Sequence, residues 1–68
     1  MNKFIMVYNI ILFVWHAISE YKGKDIHDDS VCEEMVEQLN GICRAYPGEH
    51  EQSLVRKIAT AIVEYLYE

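Results

Sequence analysis

Residues 4–18 read FIMVYNIILFVWHAI, and only Asn9 and His16 among them are plainly polar. Any fold this chain adopts must find cover for that run. A helix over about residues 2–22 fits it. No Pro or Gly occurs before Gly23, and the run is too long for an ordinary strand. The many β-branched residues (Ile5, Val7, Ile10, Ile11, Val14, Ile18) leave a strand possible on propensity alone, and tertiary packing decides.

On a helical wheel Asn2, Asn9 and His16 fall at heptad spacing, and Glu20 joins their stripe. Opposite lie Phe4, Val7, Ile11, Trp15 and Ile18, and Tyr8, Ile10, Val14 and Tyr21 continue the apolar surface. A helix apolar over most of its circumference is buried on several sides or lies in lipid. Two partner helices of the same chain can cover about half of it. Three arrangements answer the need. One is a central helix in a water-soluble oligomer. Another is a membrane anchor, for which the run is short of the ~20 apolar residues a bilayer asks and is interrupted by Asn9 and His16. The third is a secretory leader within residues 1–19, with Met1-Asn2-Lys3 as charged start and Ala17-Ile18-Ser19 as cleavage site. The first is the expectation here. Phe4, Val7, Tyr8, Ile11, Val14, Trp15 and Ile18 are its predicted oligomer interface.

A chain of 68 residues makes one domain, residues 1–68. At this size only about 60% of the unfolded surface is buried, so a lone molecule is marginal. Oligomerisation is one of the few remedies.

The net charge is −5, and six of the 11 acidic residues lie between Asp25 and Glu37 with no Lys or Arg among them. Direct nucleic-acid binding is not expected, because that affinity comes chiefly from basic contacts to phosphate. An acidic surface suits a basic partner protein, although charge runs are most often solvated helix faces. Asp28, Asp29, Glu33, Glu34 and Glu37 are the candidate partner-binding residues.

Cys32 and Cys43 lie eleven residues apart in a second predicted helix over about 30–46. That places them ~16 Å apart along its axis, beyond disulfide reach. They are expected to pack as small apolar side chains in a reducing compartment, the cytoplasm. Gly23 between two lysines ends the first helix. Ser30 with Glu33 forms a capping box for the second. Its apolar side is Val31, Cys32, Met35, Val36, Leu39, Ile42, Cys43 and Tyr46, and the period runs through Asn40-Gly41 unbroken. Pro47 stops it, and Tyr46-Pro47-Gly48-Glu49 has the composition of a type II turn. A third helix over about 49–67 follows, with Leu54, Val55, Ile58, Ala61, Ile62, Tyr65 and Leu66 on its apolar side and Ala59 and Val63 widening it. The fold expected is an all-α, three-helix antiparallel bundle, completed by homo-oligomerisation through helix 1, with a dimer the simplest closure.

No constellation in the sequence supports catalysis, a metal or a cofactor. His16 and Glu20 could pair across one turn, but no nucleophile accompanies them. His27, Asp28, Asp29 and Cys32 match no zinc spacing and lack the EF-hand loop. His50, between two glutamates, reads as exposed. The function expected is non-enzymatic: a small oligomeric regulator or inhibitor, of the type carried by phages and mobile elements, that binds another protein. A second possibility is a small-ligand or nucleotide binder with an inter-subunit pocket, lined by tyrosines with Lys22, Lys24 or Arg56 reaching phosphate.

Overall fold

Asn2 supplies the side chain that starts the first helix. Its Oδ1 accepts from the Phe4 N–H at 2.9 Å, answering one of the donors that every helix leaves open at its N-terminus. In the computed structural model, which describes residues 2–68, three helices follow: α1 (Lys3–Ser19), α2 (Asp29–Arg44) and α3 (Glu49–Leu66). Among the described residues there is no strand. Met1, part of the charged start assigned to a leader, lies outside them.

Each helix touches both others. Lys3, Met6 and Val7 lie beside His50, Glu51 and Leu54, while Trp15 and Ile18 lie beside Leu66. So α1 and α3 run the same way and α2 runs back between them, the up-down-up order that short links impose. The core is ten buried residues. Ile10, Val14, Ala17, Ile18 and Tyr21 come from α1 and the turn after it; Met35, Leu39 and Cys43 come from α2; Val55 and Ala59 come from α3. Each fully buried Ile, Val or Met contributes roughly 1.5–3 kcal/mol.

The ends of the elements differ in detail from the expectation. α1 stops at Ser19, and tighter turns carry the chain to Gly23, whose φ of +88° is the one positive value among the described residues. α2 is capped by Asp28, not Ser30. The Asp28 Oδ1 accepts from both the Ser30 N–H and the Ser30 hydroxyl at 2.9 Å, so Ser30 sits inside the helix. The link before α3 is not a type II turn, because Gly48 has φ −87° and ψ 141° where that turn needs a positive φ. Gln52 holds this link instead, donating from Nε2 to the Tyr46 carbonyl at 2.7 Å. On α3 the buried side centres on Val55 and Ala59, and Ala61, Tyr65 and Leu66 are exposed. α2 continues through Asn40-Gly41, as its apolar period requires. Both cysteines are free, Cys43 within the core and Cys32 half-buried.

Two glycines make opposite predictions. A Cβ at Gly41 would meet nothing within 4 Å. Gly41→Ala should therefore stabilise α2 by about 1 kcal/mol. Gly23→Ala meets no neighbour either, but it forces a left-handed residue and should destabilise by about 1 kcal/mol. Urea denaturation of both variants checks this, and a loss of stability in the first would contradict the helix through Gly41.

Candidate interaction surface

The helix-1 surface is only half used by the fold. Ile10 and Val14 are fully buried and Ile18 nearly so, which fixes the side of α1 that meets α2 and α3. Of the predicted interface, Val14 and Ile18 are thus spent within the chain. Phe4, Val7, Tyr8, Ile11 and Trp15 remain exposed; Ile5 and Leu12 adjoin them, and Phe13 is exposed on another side of the helix, about half a turn from Phe4. Phe4 is 87% exposed, Tyr8 63% and Trp15 52%. Successive residues turn by about 100°. The stripe Phe4, Tyr8, Ile11 and Trp15 therefore points about 110° away from the direction of Ile10 and Val14. Contiguous exposed apolar surface of this kind marks an interaction site.

At the C-terminal end of α1 the stripe borders a hollow of about 260 Å³. Trp15, Ile18, Tyr21, Met35 and Leu66 wall it, and Lys22 and Lys24 stand at its rim. The Lys24 Nζ lies 5.1 Å from the centroid of the Tyr21 ring, within cation–π range. The hollow's wall is otherwise apolar, with Ser19 the one hydroxyl outside the tyrosine.

The acidic residues occupy another side. Glu33, Glu34 and Glu37 line a shallow depression with Ser30 and Gln38, and Glu20, Tyr21 and Lys24 reach it from the end of α1 and the turn after it. Glu20 is five residues from Trp15, about 140° around the helix. The acidic depression and the stripe are distinct but adjoin: Tyr21 and Lys24 line both the depression and the hollow at the end of the stripe. Sequence reasoning placed Glu20 with the polar stripe of helix 1 and missed its place beside α2, because the link that brings the two together carries no pattern of its own. Glu37 also pairs with Arg44 at 3.1 Å, the one ion pair among the described residues, and both side chains are largely in solvent. Such exposed pairs contribute little. Asp28 and Asp29 open α2 beside these glutamates, where carboxylates complement the helix dipole.

Of the remaining polar candidates, His27 has a packing role. His16, Glu20 and His50 are exposed, and no ion pair joins His16 to Glu20. His27 sets its ring edge-on to Tyr67, with centroids 5.3 Å apart and planes at 84°. The Tyr67 hydroxyl donates to the Ile26 carbonyl and so ties the end of α3 to the α1–α2 link. The neighbouring Cys32 thiol, and then burial, push the Tyr67 phenol up to about 12. Among the described residues no three His, Cys, Asp or Glu side chains come together as a metal site would need. No helix among them is long and apolar enough to cross a membrane. Comparison of the chain with protein-family models, with curated proteins and with solved structures found no match.

The Asp28 cap makes a pH prediction. Its bonds from the Ser30 hydroxyl and then from backbone N–H groups hold its pKa below the ordinary 3.8. A depressed carboxylate stabilises the fold above its unfolded pKa and loses that contribution as pH falls through the folded value. The support to α2 is thus complete above pH 3.8 and fades below it. Asp28→Asn keeps an acceptor at the cap without a titrating proton. Its melting temperature should fall less steeply with acid than that of the wild type, as followed by circular dichroism. Superimposable profiles would show that Asp28 does not carry this dependence.

Proposed function

We infer that the chain is a small self-associating protein that acts by binding another protein, without catalysis of its own. α1 meets a second copy, and the acidic side of α2 meets a basic surface on the target. The observation that carries this reading is the presence of two dissimilar surfaces: an apolar stripe on α1 that the fold leaves in solvent, and an acidic depression along α2 that adjoins the hollow at the end of the stripe through Tyr21 and Lys24. A two-fold pair built on the stripe leaves two acidic faces free. Their charge repels like copies and attracts basic partners from a distance. We propose, from its size and character, a regulator or inhibitor of the type carried by phages and mobile elements, working in the cytoplasm with Cys32 and Cys43 reduced.

Two further readings meet resistance from the same geometry. Removing residues 1–19 as a leader would take Ile10, Val14, Ala17 and Ile18 out of the core. A small-ligand site has one observation behind it, the hollow rimmed by Lys22 and Lys24. Its apolar wall suits a hydrocarbon group better than a nucleotide. A nucleotide held there would raise the melting temperature in a thermal-shift panel by mass action, and none is expected to.

Self-association is tested by light scattering across a dilution series. The expected mass at high concentration is twice the 8.0 kDa of one chain, and a fixed single-chain mass would remove the proposal. The partner surface is tested by Glu33→Lys, Glu34→Lys and Glu37→Lys combined. Capture of the target should weaken by about tenfold or more, with steep dependence on salt in the wild type and an unchanged helical spectrum. Undiminished capture would exclude the acidic face.

A further inference from the structure

Phe4, Tyr8, Ile11 and Trp15 follow one another at intervals of four, three and four residues. On a helix that spacing draws a single seam. It also reads the same in both directions about the midpoint between Asn9 and Ile10. Val7 and Leu12 flank the seam at equal distances from that midpoint, and all six side chains are exposed. Helical stripes share this spacing, the buried Ile10, Val14, Ala17 and Tyr21 among them, so it permits, and the unlike ends of the seam select, a copy running the opposite way, which is the contact of a closed two-fold pair.

The two ends of the seam are different in shape. Phe4, the most exposed large hydrophobic residue, projects at one end. The hollow of about 260 Å³ between Trp15 and Leu66 opens at the other. An apolar cavity of ~150 Å³ is enough to take up benzene, so a phenyl ring fits. Phe4 and Trp15 stand eleven residues, or ~16 Å, apart along α1. Reversal about the midpoint sets the Phe4 of each copy opposite the Trp15 of the other.

The geometry points to one assembly: an antiparallel α1–α1 pair in which Phe4 of each copy enters the hollow beside Trp15 and Leu66 of the other. This rests on the self-association proposed above and names its register. A stable pair buries ~800 Å² per partner, about one-seventh of the 5201 Å² that a single chain exposes. Aromatic side chains offer ~150–250 Å² each. The exposed parts of Phe4, Tyr8 and Trp15 thus supply roughly half, with Val7, Ile11, Leu12 and Leu66 for the remainder. A parallel pair sets Phe4 against Phe4 and leaves both hollows open. A head-to-tail contact leaves a knob and a hollow free to recruit further copies into an open chain. An anionic bilayer surface repels a chain of net charge −5.

The test is an isotope-filtered nuclear Overhauser experiment on an equal mixture of 13C-labelled and unlabelled full-length chain. Intermolecular contacts are expected from the Phe4 ring to Trp15 and Leu66. A dimer whose contacts join Phe4 to Phe4, or lie away from α1, overturns this register and leaves self-association standing. A chain that stays monomeric overturns both, whether or not it binds vesicles of anionic phospholipid. Two variants add a second arm. Phe4→Ala should raise the dimer dissociation constant by about thirtyfold or more, as loss of an interface anchor does. Phe13 is 54% exposed and lies about half a turn around α1 from Phe4. Phe13→Ala should leave the constant unchanged. Equal losses in the two variants would mean general greasiness, not the seam, and would overturn the assignment.

Discussion

Everything in this molecule follows from a supply problem at α1. That helix is apolar over most of its circumference, and the chain has only two other helices to set against it. Each of these is amphipathic with a single apolar stripe. α2 commits Met35, Leu39 and Cys43 to the buried core, and α3 commits Val55 and Ala59. Two stripes cover one side of α1, the side bearing Ile10, Val14, Ala17 and Ile18. The rest has nothing to lie against. Half of the buried core comes from the first segment, so the helix with the most unmet apolar surface is also the one the fold cannot do without.

Charge is arranged around that constraint. The acidic residues cluster where α2 begins, and local physics gives some of them work there. Asp28 satisfies the open N–H groups of the helix start, and Asp29 complements its dipole. Glu33, Glu34 and Glu37 do neither. They stand on the solvent side of α2, and Glu20 joins them from the end of α1. One small body thus carries an exposed apolar stripe and an acidic depression, which adjoin at Tyr21 and Lys24.

The sequence revealed these features unevenly, and the reason is physical. The three helices were legible because their breaks are chemical: Gly23, the Asp28-to-Ser30 caps and Pro47. The buried side of α2 was legible because Glu33, Glu34, Glu37 and Arg44 mark the opposite side, so Met35, Leu39 and Cys43 could only face inward. α1 gave no such bearing. When nearly every position is apolar, periodicity has no phase, and the narrow polar stripe of Asn9 and His16 says only where the core is not. The wheel therefore cannot separate Val14 and Ile18, which packing against α2 and α3 claims, from the outward residues of the predicted interface. Leu12 and Ile5 were left out of the exposed surface for the same reason. The cap of α2 was misplaced by two residues because Asp28 and Ser30 are both good caps, and only the backbone shows which one accepts. The hollow beside Trp15 was not legible at all, since Leu66 comes to it from the far end of the chain.

That loss of phase bears on why the stripe exists. The fold buries apolar residues at 10, 14, 17 and 18, and leaves those at 4, 8, 11 and 15 between 45% and 87% exposed. Polar residues at those four positions would leave the ten-residue core intact and would make a lone bundle more soluble, with an ordinary amphipathic α1 to match α2 and α3. Their apolar character, and the aromatic character of three of them, is surplus to the packing of one chain. Aromatic side chains with one apolar body and one polar tip are the residues that protein interfaces concentrate. The 4-3-4 spacing is that of any helical stripe, shared by Ile10, Val14, Ala17 and Tyr21 in the core; what is particular to the exposed seam is a projecting Phe4 at one end and a hollow at the other. The cover proposed for those four side chains is the same helix, turned end for end.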